Sequence, residues 1–134
     1  MIIWNIPLRT VSEVNSSEHW ASRARRHKHQ QYIIRLYCVK QGVIKIPCHV
    51  KMTRFSRSLA DDDNLPTFFK YIRDELSEYL IPEKKGHYVT KKGQIRPLKG
   101  RADNDPRITW TYAQEKANTS SVRIEISFPE IPDN

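Results

Sequence analysis

The sequence predicts an α/β (α+β) domain, a small mixed sheet packed by two helices in the order β-α-β-α-β-β, with residues 1–134 forming one unit. Three observations carry this. Leu65, Phe68, Phe69, Ile72, Leu76, Tyr79 and Leu80 recur at spacings of three and four, a single apolar stripe on a helix. Near the C-terminus, RITWTYAQEK and SSVRIEISF read as strands. At 134 residues, 38 % of them hydrophobic, the chain is long enough for one real core.

The elements follow in order. MIIWNIPLR (1–9) reads as a first strand, apolar at Ile3 and Trp4 and interrupted by Pro7. NSSEHW then offers a helix start, with Ser16 or Ser17 as N-cap and Glu18 in the first turn. The helix runs over 18–39. Its first half is basic (Arg23, Arg25, Arg26, Lys28) and its second apolar (Ile33, Ile34, Leu36, Tyr37, Val39), so one end is expected to pack and the other to face solvent or a ligand. QGV at 41–43 makes a turn and 43–55 a strand. The second helix begins at Asn64 or Leu65 and ends near Leu80, with Asp63 or Asn64 as N-cap and Pro66 in the first turn, where its missing N–H is not needed. Residues 82–102 follow no period. They hold Lys84, Lys85, Lys91, Lys92, Arg96, Lys99 and Arg101 against a single Glu83, and read as a long basic loop. Strands over 107–116 and 120–128 close the domain, and 129–134 form a flexible tail.

Composition excludes several classes. No run approaches the roughly 18 apolar residues of a membrane span, and the first residues carry no basic leader followed by an apolar stretch. Cys38 and Cys48 lack C-x-x-C spacing, which argues against a zinc site and for a reducing cytoplasm. Lys and Arg number 23 against 15 Asp and Glu, a net charge of +8. Such an excess is the electrostatic footprint of a nucleic-acid partner.

Within this basic chain, LADDDN (59–64) gathers Asp61, Asp62 and Asp63 at one spot. One aspartate as a helix cap needs no further account, but three exceed what a cap requires. A calcium loop of the EF-hand type fails, since Pro66 stands where the turn glycine belongs and Ile72 where the bidentate Glu belongs. In an extended segment Asp61 and Asp63 share a face, and two carboxylates with phosphate oxygens and water suit magnesium. Asp103 and Asp105, again two apart before a strand, form a second acidic pair. Lys70 and Arg73 lie on one flank of the helix's first turns, from which Lys70 reaches back toward the aspartates. Asp62 and Asp103 stay open between supporting and solvent roles. His19, His27 and His29 do not form a ligand set, because 27 and 29 cannot share a helical face.

DDDNLPTFFKYIRDEL, followed by DNDPRI and the aromatic strand ITWTY, resembles the RusA family of Holliday-junction resolvases, above all its phage-type branch. The likeness covers most of the chain. It implies a homodimeric, magnesium-dependent endonuclease, with manganese as a possible substitute, that cuts four-way DNA junctions by paired symmetric hydrolysis. Asp61 and Asp63 match the family's D-x-D metal carboxylates, Asp105 its third aspartate, and Asn64 and Leu65 the rest of the motif. Two departures stand out: Thr67 occupies the position of the family lysine, whose role then falls to Lys70, and the basic insert is longer. Arg23, Arg25, Arg26, Lys28, Arg73, Lys84, Lys85, Lys91, Lys92, Arg96, Lys99 and Arg101 are the expected DNA contacts. The rival readings are a fork- or flap-selective nuclease and a DNA-junction-binding protein that does not cut.

Overall fold

The computed structural model describes residues 1–13, 18–84, 87–97 and 102–130. Strand β1 (Ile2–Ile6) is followed by helix α1 (Trp20–Gln41) and strand β2 (Cys48–Ser56). A 3-10 segment (Asp62–Phe69) runs directly into helix α2 (Lys70–Leu80). Two short strands, β3 (His87–Val89) and β4 (Ile95–Pro97), precede β5 (Ile108–Lys116) and β6 (Ser121–Ser127). The main sheet has the order β1-β6-β2-β5. Strand β6 runs antiparallel to both its neighbours, whereas β2 and β5 are parallel. Parallel neighbours need a crossover, and the 3-10 segment with α2 supplies it. The register sets Cys48 beside Ile108 at one end of the sheet and Ser56 beside Lys116 at the other. The expected mixed α+β fold with two packing helices is what the chain forms.

The core lies between one face of the sheet and the helices. Trp4 and Ile6 from β1, Val50 and Met52 from β2, and Val122, Ile124 and Ile126 from β6 are buried together with Ile34, Phe69, Ile72 and Leu76. Alternation along β6 leaves every second residue only half-buried, the mark of a sheet covered on one face. Cys38 and Cys48 are buried free thiols. Burial, with a smaller contribution from Glu75, pushes the Cys38 thiol up to about 12, and burial also raises Cys48. Neither thiol is therefore expected to react with an aromatic disulfide reagent at pH 8 until the chain is unfolded, after which both should titrate. Among the described residues no helix is long and apolar enough to cross a membrane.

Several boundaries differ from expectation. Helix α1 starts at Trp20 and is capped by His19, whose Nδ1 accepts from the Ala21 amide at 3.2 Å. Glu18 stays outside the helix, and Ser16 and Ser17 lie outside the described residues. The helix also does not divide into a packing half and a free half. Gln30, Ile34 and Cys38 form its buried line, one turn apart, while Tyr32, Leu36 and Val39 are exposed on the other side. A 3.6-residue period, not the change of composition along the helix, decides which side chains pack. Strand β2 begins after Pro47, which has no N–H for the ladder.

Residues 82–102, expected as an unpatterned loop, contain a 3-10 turn at Pro82–Lys84 and the β3–β4 hairpin. The hairpin turns through Gly93, whose φ of +79° few other residues adopt, and the Gln94 carbonyl accepts from the Thr90 amide at 2.8 Å. Strands of three residues are too short to display a period. The tail residues 131–134, with Lys85, Lys99 and Arg101, lie outside the described residues.

Glu13, on the stretch leading out of β1, is tied to α1. Its carboxylate accepts from Arg26 Nη1 at 2.6 Å and pairs with His27 Nε2 at 2.8 Å, and Arg26 also binds Glu18 at 2.8 Å. The His27 ring stacks on Tyr71 of α2 with 3.6 Å between centroids. Burial raises the Glu13 carboxyl, but Arg26 and His27 more than offset that and hold it below the usual range of a glutamate. A carboxyl depressed in the folded state stabilises the fold above its unfolded value and ceases to as pH falls through the folded one. Melting temperature should therefore fall below about pH 4.5 more steeply in the wild type than in Glu13→Gln, which can be read from thermal unfolding between about pH 3 and 7.

Candidate functional site

The acidic segment is built from the end of β2 onward. Gln114 of β5 holds it in place: its Oε1 accepts from the Ala60 amide at 2.9 Å and its Nε2 donates to the Ala60 carbonyl at 2.6 Å. The same amide lies 3.5 Å from Asp62 Oδ1. Gln114 thus imitates a strand residue and clips the chain onto β5 one residue before Asp61. No signal in the sequence singles it out, because a glutamine in a strand carries no pattern. Gln114→Ala removes two hydrogen bonds, an expected loss of about 1–3 kcal/mol. Hydrogen exchange at the Ala60 amide should quicken well beyond that global change.

Asp61, Asp62 and Asp63 are all exposed. Among the described residues, neither Asp61 nor Asp63 has a hydrogen-bond or ion-pair partner for its carboxylate. Their arrangement differs from the extended segment expected. Asp61 is extended (φ −66°, ψ 140°), but Asp62 and Asp63 already belong to the 3-10 segment, and the Asn64 amide donates to the Asp61 carbonyl at 3.0 Å. Asp61, not Asp63 or Asn64, is the N-cap position, and its side chain makes no capping bond. Two local features oppose an α-helix here. Pro66 disfavours α geometry at Leu65, and the Thr67 hydroxyl donates to the Asn64 carbonyl at 2.7 Å, competing for an acceptor of the helix ladder. The α-helix begins only at Lys70.

Asp105 is placed elsewhere. It is 5 % exposed, and Arg107 saturates it: Oδ1 accepts from the Arg107 amide and Nε, each at 3.0 Å, and Oδ2 from Nη2 at 3.0 Å. Arg107 Nη2 also reaches Glu83 at 3.1 Å, and these two carboxylates raise the arginine's pKa. The Ile108 amide donates to the Asp105 carbonyl, so Asp105 sits at the start of β5. Gln114, which holds the acidic segment, is six residues beyond Ile108, the first residue of that strand, roughly 20 Å at the usual rise per residue. The fold therefore does not bring Asp105 to Asp61 and Asp63. The cause is the parallel pairing, which puts the end of β2 beside the end of β5. Among the described residues no group of three or more His, Cys, Asp or Glu is arranged to hold a metal ion. Magnesium needs only one or two protein carboxylates and keeps several waters, so the donor set fits it through Asp61 and Asp63, without Asp105.

Lys70 and Arg73 do come together. With Thr67, Asp74, Asp103 and Tyr112 they line a cleft of about 550 Å³. Lys70 is exposed, its Nζ 5.4 Å from the Tyr71 ring centre. Arg73 donates to the Tyr112 hydroxyl at 2.7 Å and to the Asp103 carbonyl, and lies 4.6 Å over the Trp110 ring. It ties α2 to β5 and the 102–104 turn, so the contact expected of it with DNA competes with three partners inside the chain. Asp103, left open by the sequence, lines this cleft.

The other basic positions divide. Arg25, Lys28, Lys91 and Lys92 are exposed, the last two in the β3–β4 turn. Arg26 is committed to Glu13 and Glu18, and half-buried Arg23 donates to the Glu18 carbonyl at 3.5 Å. Lys84 closes the 82–84 turn and Arg96 is the middle residue of β4. Three further arginines, Arg9, Arg54 and Arg57, line a second cleft. The stretch RFSRS just before the aspartates is the signal that points to two of them. No protein-family model matches the chain, and no curated protein or solved structure matches it either.

Proposed function

We propose that this chain is a magnesium-dependent, structure-selective DNA endonuclease that resolves four-way junctions. The observation that supports it most is the acidic segment: in a chain of net charge +8, Asp61 and Asp63 stand exposed and, among the described residues, without protein partners, clipped by Gln114 to the end of the sheet. Exposed like charges at that spacing repel unless a cation joins them. Asp61 and Asp63 would hold the metal, which supplies a Lewis acid for a phosphodiester and a water of lowered pKa. Lys70, one helical turn past Pro66 on the same side as the cleft, is the cation available to steady negative charge on the phosphate. Arg25, Lys28, Lys91 and Lys92 add sequence-independent phosphate contacts. A four-way junction is a two-fold object and asks for two equivalent sites, so the active form is a homodimer. Its place of work is the cytoplasm of a bacterial or phage-infected cell.

The second reading is a junction-binding protein that does not cut. It is favoured by the Asp105–Arg107 pair, which withholds the third carboxylate of the motif and leaves it at the far end of β5. A labelled four-way junction with magnesium or manganese, beside a linear duplex, a fork, a flap and an EDTA control, separates these. Paired symmetric nicks confined to the junction and absent in EDTA support resolution. Faster cutting of the fork or flap moves the substrate, and tight junction binding without nicks in either metal establishes the binder. In the cleaving case Lys70→Met should slow nicking by about 10²-fold or more with little change in junction affinity.

A further inference from the structure

A cleft of about 600 Å³ opens where β2 ends, between its last residues, the segment leading out of β1, and the β5–β6 turn. Arg9, Arg54 and Arg57 line it, and none of the described residues around it is acidic. Arg54 is the unusual member. It is 8 % exposed, packs its guanidinium 4.3 Å over the Phe68 ring, and donates from Nη1 to the Ser58 carbonyl at 3.1 Å. Its Nε is buried with no hydrogen-bond partner among the described residues. The Thr10 hydroxyl, on a residue 5 % exposed, lines the same cleft and is likewise unpartnered among them. Burial first, and the like charge of Arg9 second, hold the Arg54 pKa below the ordinary arginine value.

A buried cation is costly unless an anion accompanies it. Arg54 has none among the described residues, and the charge of Arg9 repels it. Arg57 is fixed at the rim, its Nε donating to the Asn118 carbonyl at 2.8 Å, which leaves the rest of its fork available. Exposed Arg9 lines the cleft from the segment leading out of β1. Planar guanidinium groups converging with hydroxyls from Thr10, Ser58 and Thr119 match the oxygens of a phosphate far better than a point charge would.

We propose that this cleft is a phosphate-binding site whose ligand is a backbone phosphate of a DNA strand, with Arg54 as its floor and Arg9 and Arg57 as its walls. The choice of DNA as the source rests on the proposed function; the phosphate chemistry does not. Asp61 follows Ser58 by three residues. A strand gripped here therefore passes the acidic segment, and the site positions the strand rather than acting on it.

Two measurements test this. The first is thermal unfolding of the wild type and of the Arg9→Ala/Arg57→Ala double variant in inorganic phosphate and in chloride at equal ionic strength. Phosphate should raise the Tm of the wild type by a few degrees and that of the double variant hardly at all. Arg54→Lys, which keeps the charge but loses the fork, should fold and lose most of the rise. The second is four-way-junction affinity against salt concentration. The double variant should bind more weakly, with the log–log salt slope reduced by about 2, while Lys40→Ala on the far end of α1 should leave the phosphate response unchanged. A phosphate response identical in wild type and double variant, with an unchanged slope, overturns the site. A protected wild type whose junction slope ignores Arg9 and Arg57 overturns the DNA source. If the wild type binds no junction yet phosphate protects it through these arginines, the phosphate site is upheld and the proposed function fails.

Discussion

On the proposed function, Asp63→Asn should leave the four-way junction bound and uncut. The substitution keeps the shape of the side chain and suits the first turn of a helix as well as aspartate does, so the 3-10 segment should form as before. It removes one of two carboxylates that have no protein partner among the described residues, together with one negative charge where the phosphate of the proposed substrate would approach. Residues that only orient a metal ligand are worth about 10–100-fold, so loss of a ligand should slow nicking by more than about a hundredfold. Junction affinity should hold or tighten. Single-turnover cleavage and a binding titration on the same preparation, with circular dichroism as the fold control, give the result. Collapse of binding with the fold intact would make Asp63 a structural residue and remove it from the site. Asp105→Asn is the instructive companion. It weakens the pairing with Arg107 at the other end of β5, so it should cost stability, and cleavage only in proportion to unfolding.

Phe69→Ala should destabilise the domain by about 3–5 kcal/mol, a large part of the roughly 5–15 kcal/mol that such domains possess. Phe69 is fully buried where the 3-10 segment meets α2, and its ring stacks on Tyr112 of β5 at 5.5 Å with planes 20° apart. Removing it opens a cavity at the point where the crossover rests on the sheet. Urea unfolding should show a much lower midpoint with an unchanged slope, and Phe69→Leu should restore most of the loss. A change under about 1 kcal/mol would mean that the crossover does not lean on this ring. Because the same segment carries Asp62 and Asp63, Phe69→Ala should also loosen the acidic segment at temperatures where the fold survives.

Local periodicity makes much of this legible. The stripe from Phe68 to Leu80 marks α2 because a helix returns the same face every third or fourth residue, and Val122, Ile124 and Ile126 mark β6 because a strand alternates. The capping and buried face of α1 escape such a reading, because composition changes along the helix while packing follows its circumference. Pro66 is visible in the sequence, but its effect on Leu65, added to the Thr67 hydroxyl, turns an expected α-helical start into 3-10 structure that already includes Asp62 and Asp63.

The long elements, the surplus of positive charge and the acidic cluster at Asp61–Asp63 can be read along the chain, since each is a property of neighbouring residues, whereas the three-residue strands β3 and β4 cannot. Which ends meet is a matter of tertiary folding alone. The parallel pairing of β2 with β5 leaves Asp105 before the first residue of β5 and the acidic segment near the last, where Gln114 holds Ala60. The same pairing places Gln114 against Ala60, and the fold around it gathers Arg9, Arg54 and Arg57 from two distant stretches into one cleft. Strand order is chosen by the whole core at once, because burying one sheet face under two helices is a property of no single segment.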